Sequence, residues 1–286
     1  YDVQQTNDDG FILAGQTWLI DQDGTFDYLV IKTDSTGILQ WQKSFGGSKT
    51  DQGRSVQKTY DNGYIIAGSS DSKDGDITNN HGKYDYWVIK LNEHGEKEWE
   101  KSFGGYEDDK CYCIYATHDS GYILCGYSSS KDGDITNHHG DIHNYDCWIV
   151  KINNAGDIIW ENSFGGTHFE NATSIIETND NGFAFCGYSD SNDGDVIGNK
   201  ESANFWIVKL DSAGNLEWQK TYDNILGEDR ANSIKQTFDS GYIVAGVGYT
   251  AISGPYTYDY WVLKLDTNGD LEWQKKFFVI SNGYNL

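Results

Sequence analysis

Hydrophobic residues recur along the chain in short alternating runs bounded by glycine, asparagine or aspartate. The loudest is aromatic and aliphatic: FDYLVIKT at 26–33, YDYWVIKL at 84–91, YDCWIVKI at 145–152, NFWIVKL at 204–210 and YDYWVLKL at 258–265. Each is followed by a turn and a tryptophan segment, with Trp41, Trp99, Trp160, Trp218 and Trp273 spaced 58, 61, 58 and 55 residues apart. Five such periods fill nearly all 286 residues, so the repeat is the organising unit. Its copies span approximately 1–50, 51–108, 109–169, 170–228 and 229–286.

Within the second copy the pattern predicts four strands: a at 54–59, b at 64–69, c at 85–91 and d at 97–103. On strand c, Trp87, Ile89 and Leu91 point one way while Tyr86 and Val88 point the other, so both faces are apolar. That suits a sheet packed between neighbouring sheets. A T-x-D-x-G turn joins a to b in every copy, from Thr6–Gly10 to Thr237–Gly241, and a glycine-ended turn (Gly37, Gly95, Gly156, Gly214, Gly269) joins c to d. Both are hairpin chemistry. The expected fold is all-β: a five-bladed β-propeller of four-stranded antiparallel blades forming a single domain over 1–286. A stacked solenoid fits less well, because its repeats are usually shorter and its rungs parallel. The chain opens at strand a and closes at strand d, so either the ring closes by packing alone or the chain is a segment of a longer array. Phe277 and Phe278, in place of the FGG that ends strand d elsewhere, are a candidate seal for that closure.

The combined motif D-x-G-Y-I-x-x-G, D-Y-W-V-x-K-L-x-x-x-G, W-x-K-x-F-G-G resembles the bacterial secreted and surface β-propeller repeats (SBBP-type and relatives, many from Bacteroidetes-like bacteria) along the whole chain. The resemblance implies a propeller, an extracellular or cell-surface location and a role in adhesion or binding. It carries no catalytic residues. Copy 1 departs at Leu29, where the others have tryptophan, and copy 5 lacks both the FGG and the long acidic loop.

Composition narrows the function classes. A net charge of −23 repels phosphate backbones, which argues against nucleic-acid partners. No apolar run approaches the roughly 18 residues of a membrane-spanning helix. With no methionine and no signal peptide, the chain reads as a mature or excised segment. The five cysteines have no framework spacing and read as free thiols: Cys125 and Cys186 stand in an alanine column, and Cys147 replaces Tyr86. Cys111 and Cys113, two apart on one strand, would share a face. No CxxC pair suggests zinc.

Hairpin order sends the long b–c and d–a loops to one end and the tight turns to the other, so a ligand is expected at the loop end. There an acid precedes strand a of copies 2–5 (Asp51, Asp109, Glu170 and Asp229), and these, with Trp18, are the candidate ligand-binding residues. Trp18, outside both repeat columns in the short b–c loop of copy 1, is a candidate sugar platform or a local cover. D-G-D elements (Asp74/Asp76, Asp132/Asp134, Asp193/Asp195, with Asp21/Asp23 as a shorter variant) are candidate calcium ligands, although their spacing is not that of an EF-hand. The same aspartates and serines can instead cap their own turns. His81, His138, His139 and His143 read mostly as solvated loop residues, and the recurrent Lys32, Lys90, Lys151, Lys209 and Lys264 as scaffold lysines paired with a repeat carboxylate.

Repetition of the polar residues weighs against an enzyme, since catalysis needs groups in unequal roles. The sequence therefore points to a binding or adhesion module for a glycan or surface protein. The alternatives are a self-associating structural unit of an extracellular fibre or surface layer and, more remotely, a glycoside-active enzyme using the Asp51–Asp229 series.

Overall fold

A computed structural model describes residues 1–19, 24–141, 143–200, 202–223, 227–250 and 257–277. The chain divides into two compact units, Tyr1–Phe164 and Gly165–Leu286. Unit 1 holds three four-stranded antiparallel sheets. The first is β1 (Asp2–Gln5), β2 (Phe11–Leu19), β3 (Thr25–Thr33) and β4 (Leu39–Phe45). The second is β5 (Asp51–Lys58), β6 (Tyr64–Ser70), β7 (Asp85–Leu91) and β8 (Lys97–Phe103). The third is β9 (Asp109–Ala116), β10 (Tyr122–Ser128), β11 (Asp146–Ile152) and β12 (Ile158–Phe164). Unit 2 holds β13 (Glu170–Glu177), β14 (Phe183–Ser189), β15 (Asn204–Leu210) and β16 (Leu216–Tyr222), then β17 (Arg230–Gln236), β18 (Tyr242–Thr250), β19 (Thr257–Leu265) and β20 (Leu271–Phe277). These are the five blades of a β-propeller fold, each a meander in chain order.

Within each unit the first strands of successive blades lie side by side, β1 with β5, β5 with β9, and β13 with β17. The middle strands are apolar on both faces and buried along their length, as β6, β7, β11, β14 and β15 show. Aromatic residues close the seams between blades. Tyr28 packs on Trp87 with ring centroids 4.5 Å apart, Tyr86 on Trp148 at 4.6 Å, and Phe205 on Trp261 at 4.6 Å. The indole N–H of each buried tryptophan is satisfied within its own blade, Trp87 by Glu100 at 2.9 Å and Trp206 by Gln219 at 2.9 Å. The second tryptophan column does its packing at the hairpin turns. A Cβ on Gly95 would come within 2.9 Å of the Trp41 ring of the preceding blade, and one on Gly269 within 2.6 Å of Trp218. Glycine is what lets the turn lie on the indole.

Several expectations need correction. Strand a begins at Asp51, three residues earlier than the alternation suggested, and carries a bulge in four blades, at Arg54, Tyr112, Thr173 and Asn232. The bulge sets Cys111 and Cys113 opposite adjacent residues, Gly126 and Cys125, so simple alternation does not describe their placement. No disulfide joins any of the five cysteines. Trp18 lies on β2, paired with Phe26, because the b–c hairpin of blade 1 continues its ladder where blades 2–4 carry loops. Phe277 is more than half exposed, and Phe278 lies outside the described residues.

Candidate functional site: the turn-end grooves

The a–b turn is built identically in all five blades. Its fourth residue (Asp9, Asn62, Ser120, Asn181, Ser240) takes a left-handed φ of 62–67°, which Asp, Asn and Ser tolerate better than bulkier residues. The threonine hydroxyl donates to the turn aspartate, as Thr178 does to Asp180 at 2.5 Å. The strand-c lysine reaches the same carboxylate from beneath: Lys32 Nζ lies 2.9 Å from Asp8 and 2.8 Å from Gln40 Oε1, and Lys209 Nζ 3.0 Å from Asp180 and 2.8 Å from Glu217. Lys90, Lys151 and Lys264 pair likewise with Asp61, Asp119 and Asp239. The lysines are buried along their stems while the aspartates stay about half exposed. Burial works against the ionised Asp180, but the Thr178 hydroxyl and Lys209 outweigh it and hold its carboxyl at about 2. Hydrogen bonds from Thr6 and Lys32 hold Asp8 well below the usual carboxylate range.

Where two such turns meet, they frame a groove. Between blades 1 and 2 a cavity of about 710 Å³ is lined by Asn7, Asp8, Lys32, Gln40, Trp41 and Tyr64, among others. Between blades 4 and 5 the same repeat positions (Asn179, Asp180, Lys209, Glu217, Trp218 and Tyr242) line one of about 420 Å³. The floor pairs in the two grooves match: Trp41 and Tyr64 are 6.0 Å apart, Trp218 and Tyr242 5.6 Å. An aromatic floor with a few convergent polar groups is the usual make-up of a small-ligand site.

The loop end is different. The D-G-D loops fold over the glycines that end the preceding strand d and accept their backbone N–H groups. Asp74 accepts from the Ser48 amide at 2.7 Å, Asp132 from Tyr106 at 2.8 Å and Asp193 from Thr167 at 2.8 Å. Asp76, Asp134 and Asp195 accept from Gly46, Gly104 and Gly165 at 3.3, 3.1 and 3.2 Å. Ser72 and Ser130 complete the clamp, accepting from the Lys49 and Glu107 amides at 2.9 Å and donating to Asp51 and Asp109 at 2.9 Å. One carboxylate oxygen of each D-G-D aspartate is thus engaged by backbone. Among the described residues no group of three or more His, Cys, Asp or Glu side chains is placed to hold a metal ion. Asp21 and Asp23 lie outside the described residues.

Asp51, Asp109, Glu170 and Asp229 are all fully buried, where an accessible acidic rim was expected. Three begin strand a and Asp229 stands just before it, so the backbone carries them inward rather than onto a loop. Burial pushes Asp51 up to about 6 and Asp109 up to about 7, with Asp27 and Asp85 adding repulsion. His81 and His143 are exposed, as expected of loop histidines, whereas the His138 side chain is 2 % exposed, 3.2 Å from Asp146; His81 and His139 sit on Asp85 and Asp146 at 2.7 and 2.8 Å. Trp18 remains 58 % exposed, edge-on to Phe26 at 4.8 Å. The grooves leave no pattern along one strand because each draws on two blades; the recurring T-x-D-x-G, lysine and second-column tryptophan are their signal.

No protein-family model matches the chain, and no curated protein matches it. Among solved structures it is similar to the WD40 domain of Neurospora crassa Pan2, with 9% identity and a TM-score of 0.50, over 93% of this chain and 65% of that one. A B. megaterium levansucrase mutant (10% identity, TM-score 0.46) is matched over 98% of this chain and 84% of its own. A Synechocystis apocarotenoid oxygenase mutant (11% identity, TM-score 0.44) is matched over 97% of this chain and 59% of its own. At such identities the Pan2 likeness concerns the fold alone, and the chain spans about two thirds of that domain's length.

Proposed function

We propose that the chain is a secreted or cell-surface binding module that holds glycan segments in its turn-end grooves, not an enzyme. The observation that carries this reading is the recurrence of one groove at two seams, with Trp41 and Tyr64 in one and Trp218 and Tyr242 in the other. A pyranose ring offers an apolar face to such aromatics and hydroxyls to the Asn, Gln, Asp and Lys groups around them. Equivalent shallow sites suit a repetitive ligand, where avidity compensates for modest affinity at each site. The acidic composition and the resemblance to surface propeller repeats favour an extracellular setting. The repeated carboxylates have structural partners, which supports a binding role over catalysis.

A glycan array followed by calorimetry on the best hit tests this. Gln40→Ala with Asn7→Ala, which leaves the tryptophans packed and the left-handed turn residues in place, should weaken binding about tenfold, the scale of one or two lost hydrogen bonds. Trp218→Ala should weaken it independently. No glycan binding, or binding indifferent to both grooves, would overturn the reading.

A further inference from the structure

The seam between blades 2 and 3 buries two carboxyls that share one space. Asp85 and Asp109 are both fully buried. A Cβ on Gly104 would stand 2.7 Å from Asp85 Oδ1 and 2.7 Å from Asp109 Oδ2, so the residue between them has to be glycine. One oxygen of each carboxyl is taken. Asp85 Oδ2 accepts from the His81 amide at 2.8 Å and meets His81 Nδ1 at 2.7 Å. Asp109 Oδ2 accepts from the Gly105 amide at 2.7 Å and the Ser130 hydroxyl at 2.9 Å. The other oxygen of each, Oδ1, is buried with no donor at full hydrogen-bond geometry, although the Ser128 hydroxyl stands close enough to Asp109 to favour its ionised form.

The seam between blades 1 and 2 repeats the arrangement. A Cβ on Gly46 would stand 2.3 Å from Asp27 Oδ1 and 2.7 Å from Asp51 Oδ2. Asp51 Oδ2 accepts from the Gly47 amide at 2.8 Å and the Ser72 hydroxyl at 2.9 Å, while Oδ1 of both aspartates is again buried with no donor at full hydrogen-bond geometry, the Ser70 hydroxyl standing close to Asp51. A buried acceptor left unpaired is costly and calls for an ion, a water or a proton beside it. At the next two strand-c positions protein groups engage the other atom of the side chain, although Oδ1 of Asp146 and of Asn204 is likewise buried without a donor. Asp146 is met by His138 and His139. Asn204 carries no charge and donates to Asn199 Oδ1 at 2.6 Å and Lys200 O at 3.0 Å.

We infer that each of these two seams binds one hard divalent cation, calcium by its donor set, between the carboxyls of Asp85 and Asp109 and of Asp27 and Asp51. Two carboxylates balance the charge, and calcium readily completes its 6–8 oxygen ligands with backbone carbonyls and water. Each pair takes one carboxyl from either blade, so the ion would tie neighbouring blades together. Calcium is thereby moved from the D-G-D loops to the carboxyls beneath them. The rival occupant is a proton, which the upward shifts of Asp51 and Asp109 would favour in metal-free protein.

The test is calorimetric titration of the EDTA-stripped full chain with calcium chloride at pH 8, where proton competition is weak, with a thermal melt in parallel. Two sites per chain and a Tm rise of about 5 °C are expected. Asp85→Asn or Asp109→Asn should abolish one site, and Asp27→Asn the other; asparagine is isosteric and circular dichroism checks the fold. Terbium luminescence on the unsubstituted chain, sensitised by nearby tyrosine and tryptophan and quenched by calcium, keeps the test decisive if a variant does not fold. Absence of both heat and Tm change at pH 8 would overturn the inference in favour of a shared proton. Calcium binding that survives Asp85→Asn and Asp27→Asn together would overturn it in favour of the D-G-D loops.

Discussion

The Tyr28 hydroxyl donates to the backbone carbonyl of Trp87 at 2.9 Å, crossing from blade 1 to blade 2 inside the core. Tyr86 does the same to Trp148 at 2.9 Å, one seam further on. Each phenol therefore fills space as an aromatic and satisfies a carbonyl of the neighbouring blade. Burial pushes both hydroxyls far above their ordinary range, so they remain protonated donors. Tyr86→Phe keeps the ring and removes the donor. It should cost about 1–3 kcal/mol in urea unfolding, the scale of a buried acceptor left unpaired. A change within a few tenths of a kcal/mol would show that the bond contributes little.

The serine of each clamp holds a loop and a carboxyl together. Ser130→Ala removes the hydroxyl that accepts from the Glu107 amide and donates to Asp109. Stability should fall by about 1–2 kcal/mol, and limited proteolysis should begin in the 129–145 loop. Unchanged cleavage there would mean that the aspartates alone hold the loop.

The lysine column predicts a graded pair of substitutions. Lys209 is buried along its stem and ends on Asp180 and Glu217, both partly exposed. Lys209→Met keeps the stem and should cost about 1 kcal/mol, because both freed carboxylates can hydrate. Lys209→Ala also opens a gap and should cost about 2–3 kcal/mol more. Equal losses for the two variants in thermal melts would assign the whole effect to charge.

Stability of the calcium-free chain should depend on pH with a definite sign. Asp51 and Asp109 are pushed up to about 6 and about 7, so the folded state binds more protons there than the unfolded chain. Their contribution is fully present below about pH 4, the unfolded carboxyl value, and is lost as pH rises through 6 and 7. Asp119 and Asp180 are held at about 2, so their contribution is present above about pH 4 and lost as pH falls toward 2. The Tm should peak at about pH 4–5 and decline toward pH 8. Saturating calcium should flatten the decline, since the ion stabilises the ionised pair. A Tm that rises steadily from pH 4 to 8 without calcium would contradict both shifts.

Much of the blade was legible from alternation. The expected strands 85–91 and 97–103 coincide with β7 and β8, because aromatic and β-branched runs closed by glycine turns leave little choice of register. The lysine–carboxylate pairing was legible too, since Lys90 and Asp61 recur at fixed repeat positions. Alternation makes strand a look too short because Asp51 is polar, yet it is buried under Ser72 and the Gly47 amide. Trp18 reads as a loop residue in sequence because the ladder of the longer hairpin leaves no mark beyond Phe26 opposite it. The grooves escaped detection for a different reason. Trp41 and Tyr64 belong to different blades, and no pattern along one strand reports what two blades frame together.

The most direct test of the binding account is a crystal structure of the chain grown with the tightest glycan from the array. Density for a sugar ring is predicted between Trp41 and Asn7 in the blade 1–2 groove, and again beside Trp218. A glycan seated on the D-G-D loops, or both grooves blocked by well-ordered protein side chains, would contradict it.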